Sequence, residues 1–204
     1  MLKLDINLDF ESYGLNMLAN LQAGETLGIY GKSGIGKSTL LKVIAGLQKS
    51  NQSTIYYDQH AWNEPSKGIH IPSKNRSVGL VFQDFALFPN LTVKQNLQYA
   101  QKISERALNE LILTLDISPI LNKKSNEISG GQKQRTAIGR AIAYDPQILL
   151  MDEPFVALDE EIKLSIKTFL KSYIIDKKKI AIIASHDQTD LSFFTDQIVS
   201  LREA

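Results

Sequence analysis

Three short segments of this sequence carry the residue types that chemistry on a phosphate requires. Gly31-Lys32-Ser33-Gly34-Ile35-Gly36-Lys37-Ser38 fits the P-loop pattern G-x-x-x-x-G-K-[ST] in full. Glycines at 31, 34 and 36 permit backbone angles that a side chain would block. Successive N–H groups can then turn inward on phosphate oxygens, aided by the positive end of the helix that follows. In this pattern Lys37 brings a point charge to the β- and γ-phosphates, and Ser38 ligates Mg²⁺ through its hydroxyl. Thr39 is placed to bond the α-phosphate, so Gly31–Thr39 as a whole is expected to hold ATP. The second segment is the apolar run Ile148–Met151, which delivers Asp152 and Glu153 at its end. Alone it reads equally well as a strand with an acidic turn. Beside a P-loop, Asp152 becomes the expected Mg²⁺ ligand and Glu153 the base for an attacking water. The third is Ala184-Ser185-His186-Asp187, where a neutral imidazole at His186 would hydrogen-bond the γ-phosphate. Gln83 follows another strand and is in position to reach Mg²⁺ or the attacking water. His60 and His70 have no partner pattern and read as ordinary surface or loop residues.

These segments need strands that end together and helices that start at the right place. Leu2, Leu4, Ile6, Leu8 and Phe10 alternate, as do Leu15, Met17, Ala19 and Leu21, which predicts two half-buried strands. The turn Gln22–Glu25 leads into a strand over Thr26–Tyr30, then a helix over 37–45 stopped by Gly46. Strands are expected at Thr54–Tyr57, Ser77–Phe82, Gln147–Met151, Ile180–Ala184 and Gln197–Leu201. Helical spacing marks about Thr92 to Leu115, Gly131 to Tyr144, and 160 to 175. Asp145-Pro146 breaks the second of these. The run Lys177-Lys178-Lys179 reads as a solvated helix end. Strands alternating with helices imply an α/β fold with a mainly parallel sheet covered on both faces. The early alternating strands suggest an antiparallel flap beside it.

Composition narrows the classes. The 204 residues suffice for one full core with room for an inserted subdomain. The net charge of +1 gives no electrostatic case for nucleic acid, and none is expected as a partner. No cysteine is present, which excludes disulfides, Cys-ligated zinc and thiolate catalysis. No run of apolar residues is long enough to span a bilayer, and the N-terminus lacks the pattern of a signal peptide. A soluble cytoplasmic protein is the expectation, one that serves a membrane only by binding another protein.

Ile128-Ser129-Gly130-Gly131-Gln132-Lys133-Gln134-Arg135 resembles the signature motif of ATP-binding cassette (ABC) ATPases, with Ile in place of the usual Leu. Taken alone it is a capped helix start, with Ser129 as N-cap. Here the P-loop, Gln83, this motif, the Asp152-Glu153 strand, Ala157-Leu158-Asp159 and His186 occur in the family's order over essentially the whole chain. The resemblance implies a P-loop NTPase with a RecA-like parallel core and an antiparallel β flap, formed by 1–83 and 146–204. It implies an inserted α-helical subdomain over 84–145. It also implies an ATP-dependent head-to-tail homodimer, in which Ser129, Gly130, Gly131 and Gln132 meet the γ-phosphate on the partner's P-loop. Lys32, Val156 and Ser185 depart from the residues common in the family, without removing a catalytic atom. Phe10 and Tyr13 are the candidates to stack on adenine.

The stretch from Gly68 through Arg76 to Asp84, with Ala86–Val93, looks like importer ATPases, and the spacing around Glu64–Arg76 leans toward the molybdate type. Such a subunit works with a membrane permease and a substrate-binding protein, peripheral on the inner face of the cell membrane. The exposed apolar group Phe85, Leu87, Phe88 and Leu91 is expected near the groove that receives the permease. Importers of these types often append a C-terminal regulatory domain. With the sequence ending at Ala204, such control is expected to be absent or to reside elsewhere. The competing reading is a soluble ABC ATPase acting on DNA or ribosomes. The interval from Thr39 to Ser129 has no room for a long coiled coil, and zinc cysteines are lacking. A small-molecule kinase would leave Ser129–Gln132 unexplained.

Overall fold

Alternation in the first residues produces a hairpin. Strand β1 (Leu2–Asp9) buries Leu2, Leu4, Ile6 and Leu8, and β2 (Gly14–Leu21) buries Leu15, Met17, Ala19 and Leu21 against the same side. The two pair antiparallel, with Leu2 opposite Leu21 and Leu8 opposite Leu15. The computed structural model describes residues 1–9, 14–195 and 197–201. Strand β3 (Thr26–Tyr30) feeds the glycine-rich loop, and α1 (Lys37–Ala45) ends at Gly46, left-handed at φ 73°. Strands β4 (Thr54–Tyr57), β5 (His60–Glu64) and β6 (Ile69–His70) complete an antiparallel sheet of order β2-β1-β4-β5-β6. The remaining elements are β7 (Val78–Val81), α2 (Val93–Gln98), α3 (Glu105–Thr114), α4 (Gly130–Ala143), β8 (Ile148–Asp152), α5 (Glu160–Asp176), β9 (Ile180–Ser185), α6 (Gln188–Ser192) and β10 (Ile198–Ser200). They supply a second sheet, β10-β3-β9-β8-β7, parallel throughout.

The parallel sheet is a wall between two apolar clusters. Along β8, Ile148 and Leu150 join one cluster while Leu149 and Met151 join the other. Both faces are therefore covered, as parallel strands require. One cluster joins that sheet to α1 and the inner face of the antiparallel sheet. The other holds α2 to α6 on the opposite side, continuous from Val93 and Leu97 to Leu170 and Leu191. Because the five strands run parallel, the loops after β3, β7, β8 and β9 emerge at one edge of the sheet. That edge is where ligands bind in such sheets.

Two buried cations have no signal in the periodicity. Arg76 is 2% exposed and donates to the carbonyls of Val43, Ile44, Trp62 and Ile71 at 3.1, 2.7, 2.9 and 2.8 Å. It thereby satisfies the last carbonyls of α1 and ties that helix to the antiparallel sheet. Burial pulls its guanidinium down to about 10. Lys179 corrects the expectation of a solvated lysine run: it is buried and pairs with Asp145 at 2.9 Å, while Lys177 and Lys178 are exposed.

His70 also differs from expectation, because its Nδ1 bonds Asn63 Oδ1 at 2.9 Å. Of the apolar group after Gln83, only Phe88 is exposed. Phe85 and Leu87 pack on the helical cluster instead. Arg140 fixes that segment by donating to the carbonyls of Ala86 and Phe85, and Asn96 bonds the backbone of Phe88, Leu91 and Thr92. Among the described residues no helix is long and apolar enough to cross a membrane.

Candidate functional site

The loop after β3 is shaped by two glycines with positive φ, Gly34 at 86° and Gly36 at 93°. A third, Gly31, is packed so closely that a Cβ would stand 2.8 Å from Ile35 Cγ2. Ile35 is buried there, so it anchors the loop while Lys32, Ser33 and Gly34 stay exposed. Gly36 is the N-cap of α1, and no side chain caps that helix. The start of α1 is thus left as an uncapped positive end.

Opposite it, β8 delivers Asp152 and Glu153, both 6% exposed. Glu153 adopts a left-handed φ of 48°, an uncommon conformation for a side chain of this kind. Strained backbone of this sort clusters at working sites. Its two oxygens are divided. Oε1 pairs with Lys37 Nζ at 3.1 Å, and Oε2 accepts from His186 Nδ1 at 2.9 Å. Lys37 Nζ also donates to the carbonyls of Gly31 and Lys32, at 2.7 and 3.1 Å. Buried Lys37 and Glu153 therefore neutralise each other, which is what keeps two charges tolerable in so dry a place. His186 itself is half exposed.

Asp152 has a different environment. Its Oδ1 is buried with no hydrogen-bond partner among the described residues. Burial raises its carboxyl above the ordinary range, the Ser38 hydroxyl pulls it down, and the Glu153 charge raises it again. An orphaned carboxylate oxygen beside a serine hydroxyl is a hard oxygen set that fits Mg²⁺, with the remaining positions left to phosphate and water. Among the described residues no cluster of three or more His, Cys, Asp or Glu could hold a metal by itself.

A pocket of about 190 Å³ opens between these parts, lined by Ser33, Gly34, Gly36, Lys37, Ser38, Thr39, Gln83, Asp152 and Glu153. Residues from three separate stretches of sequence thus face one space, and His186 reaches it through Glu153. Ser129, Gly130, Gly131 and Gln132 line no part of it. They form the start of α4, where Ser129 Oγ accepts from Gln132 N at 3.3 Å and Gln132 Oε1 accepts from Ser129 N at 3.0 Å. A Cβ on Gly131 would stand 2.8 Å from the carbonyl oxygen of Ala157. Only glycine lets α4 sit against the loop after β8. Phe10 and Tyr13, the candidates for adenine, lie outside the described residues.

Comparison with known proteins agrees with this geometry. A family model described as ABC transporter matches residues 15–156. The chain is 35% identical over 189 residues to the trehalose/maltose import ATP-binding protein MalK of Thermococcus litoralis, covering 89% of this chain and 51% of that one. It is 36% identical over 200 residues to the molybdenum import ATP-binding protein ModC of Yersinia pestis, covering 98% and 56%. A probable sulfate/thiosulfate import ATP-binding protein CysA of Chlorella vulgaris shares 34% over 188 residues, covering 89% and 77%. The chain thus spans about half the length of the MalK and ModC relatives. The dimeric ATP-binding cassette MJ0796, in a post-hydrolysis state bound to ADP and Pi, superposes with a TM-score of 0.79 at 30% identity, covering 99% of this chain and 94% of that one. With a P-loop NTPase fold of this likeness and a family match across most of its length, this chain belongs to the ABC transporter family.

Proposed function

We propose that this chain is the ATP-binding and ATP-hydrolysing subunit of an ABC transporter of importer type, energising substrate translocation through a separate permease. The observation that carries the reading is the pocket in which Lys37 and Ser38, at an uncapped helix start, face Asp152 and Glu153 from β8. Gly31–Thr39 would wrap the triphosphate of ATP, with Lys37 exchanging Glu153 and two carbonyls for phosphate oxygens. That exchange frees Glu153 Oε1 to take a proton from water. Mg²⁺, held by Ser38, Asp152 and Gln83, would supply charge neutralisation for the leaving phosphate. His186 orients Glu153 through Nδ1. A ring that donates there can donate to a phosphate from its other nitrogen only as the imidazolium.

Ser129, Gly130, Gly131 and Gln132 complete the site in a second copy of the chain. Two points support this: they do not line the pocket of their own chain, and the superposed cassette was solved as a dimer. The permease and a substrate-binding protein are the further partners, with the subunit peripheral on the cytoplasmic face of the membrane. In this reading 84–145 acts as a helical subdomain against a core of 1–83 and 146–204. Identities of 34–36% to sugar, sulfate and molybdenum importers lend the lean toward molybdate only weak support.

The test is co-purification with a multi-span membrane protein, together with ATP hydrolysis that Glu153→Gln removes while ATP binding persists. Hydrolysis stimulated by DNA or ribosomes, and by no membrane partner, would overturn the reading.

A further inference from the structure

We infer that Asp190, held by Lys163 and Lys167, is a positioning residue that sets His186 against Glu153; the inference rests on the roles proposed above for that pair. Asp190 lies on α6, four residues beyond His186, and is 4% exposed. Its Oδ1 accepts from Lys163 Nζ at 2.8 Å and from Lys167 Nζ at 3.1 Å, both on α5. Lys163 Nζ also stands 3.9 Å from Asp187 Oδ2. Asp187 directly follows His186 and caps α6 by accepting from Thr189 N at 2.8 Å. The segment after His186 is thus tethered to α5 at two carboxylates. Lys171, one turn further along α5, adds a third tether by donating to the Phe193 carbonyl at 2.7 Å.

The same lysine reaches the other side of the contact. Lys167 Nζ stands 4.7 Å from the ring centroid of Phe193 and 5.9 Å from that of Phe155. Phe155 is separated from Glu153 by Pro154 alone, and it stacks on Phe194 at 5.8 Å. One buried cluster therefore backs both the segment that presents Glu153 and the segment that presents His186. The alternative is that the cluster only adds stability. Buried ion pairs are weak at that, since desolvation offsets most of the attraction. In some systems such pairs instead fix geometry, the role assigned to this one. With only five residues, α6 is too short to hold its own orientation. Without the carboxylate, two largely buried ammonium groups would face each other and one would have to leave, taking its grip on α6 with it.

Asp190→Asn is expected to lower kcat for ATP hydrolysis by about 10- to 100-fold, the scale of a misplaced reacting group, with KM and ADP affinity nearly unchanged. Asp190→Glu should recover most of the loss. Should the single Asn variant fail to fold, Asp190→Asn with Lys167→Met removes the stranded charge and keeps the question open to measurement. On a His186→Ala background the Asn substitution should add no further loss. The chain has three histidines, so the imidazole C–H signals can be followed by NMR, and His186 assigned with His186→Gln. The His186 signals should move in Asp190→Asn while those of His60 and His70 stay. Losses that add to His186→Ala, an unmoved His186 signal, or ADP affinity that falls in step with kcat would each overturn the inference. If His186→Ala retains full hydrolysis, the role proposed for His186 fails, and the NMR signal still decides whether Asp190 positions it.

Discussion

The two glycine-rich helix starts of this chain are built on opposite plans. At α1 the N-cap is a left-handed glycine, no side chain caps the helix, and the adjoining ammonium is tied to Glu153. At α4 the Ser129 and Gln132 side chains close a reciprocal capping box on their own backbone. The first end leaves its polar groups to be completed by a ligand. The second is already satisfied and rigid, with Ser129 exposed. An anion arriving at α4 would meet a surface that needs no reorganisation, whereas an anion arriving at α1 must first separate Lys37 from Glu153. That separation is therefore confined to one side of the proposed shared site.

The strongest way to break this contrast is at Glu153. Glu153→Gln should lower hydrolysis by about 10²–10⁴-fold, the usual loss for a general base, while equilibrium dialysis still detects bound ATP. Next is the far end of α1. Arg76→Met would leave the Ile44 and Ile71 carbonyls without this donor, while those of Val43 and Trp62 keep backbone N–H partners, and denaturant melts should show a loss of about 1–3 kcal/mol for each carbonyl left unpaired. At α4 the expected loss of stability is smaller. Ser129→Ala should lose roughly 1 kcal/mol of cap energy. Ser129→Asp keeps the cap, so its melting temperature should hold while hydrolysis falls through repulsion of phosphate. Neither change should alter nucleotide affinity in dilute monomer, and a change there would undo the division of labour between the two ends.

The subtlest test uses Asp152, whose carboxyl is raised chiefly by burial. A raised folded-state value favours the protonated form. Its contribution to stability is thus present below the ordinary carboxylate value and is lost as pH rises through the raised one. Asp152→Asn should therefore raise the melting temperature at neutral pH without Mg²⁺, and the gain should vanish toward a pH of about 4.

The residues along one strand or one loop were legible in the sequence because local rules govern them. The helix over 37–45, with Gly46 as its stop, and the strands Thr26–Tyr30 and Thr54–Tyr57 stand in the structure at those bounds. Strand β5 escaped because His60-Ala61-Trp62-Asn63-Glu64 has no two-residue alternation, and its pairing with β4 shifts register between Ile55 and Tyr56. Strand β6 is two residues and α6 five, too short for either period to register. Buried charges were hidden for another reason. Arg76 and Lys179 look like surface residues until chain segments far away in sequence supply their acceptors. At the site, the identities of Lys37, Asp152, Glu153 and His186 were readable from motif and order, but the division of Glu153 between an ammonium and an imidazole was not. That division depends on distances across β3, β8 and β9.

The strand order also has a consequence for how the protein is made. Strand β3, which carries the phosphate loop, lies between β9 and β10, so its neighbours are drawn from residues 180–200. During synthesis the loop leaves the ribosome before β9 and β10, the strands that wall it in. A nascent chain halted before Ile180 would carry the whole motif and still lack the place to display it. Capture of nascent chains of graded length on immobilised ATP should accordingly show a step near that point.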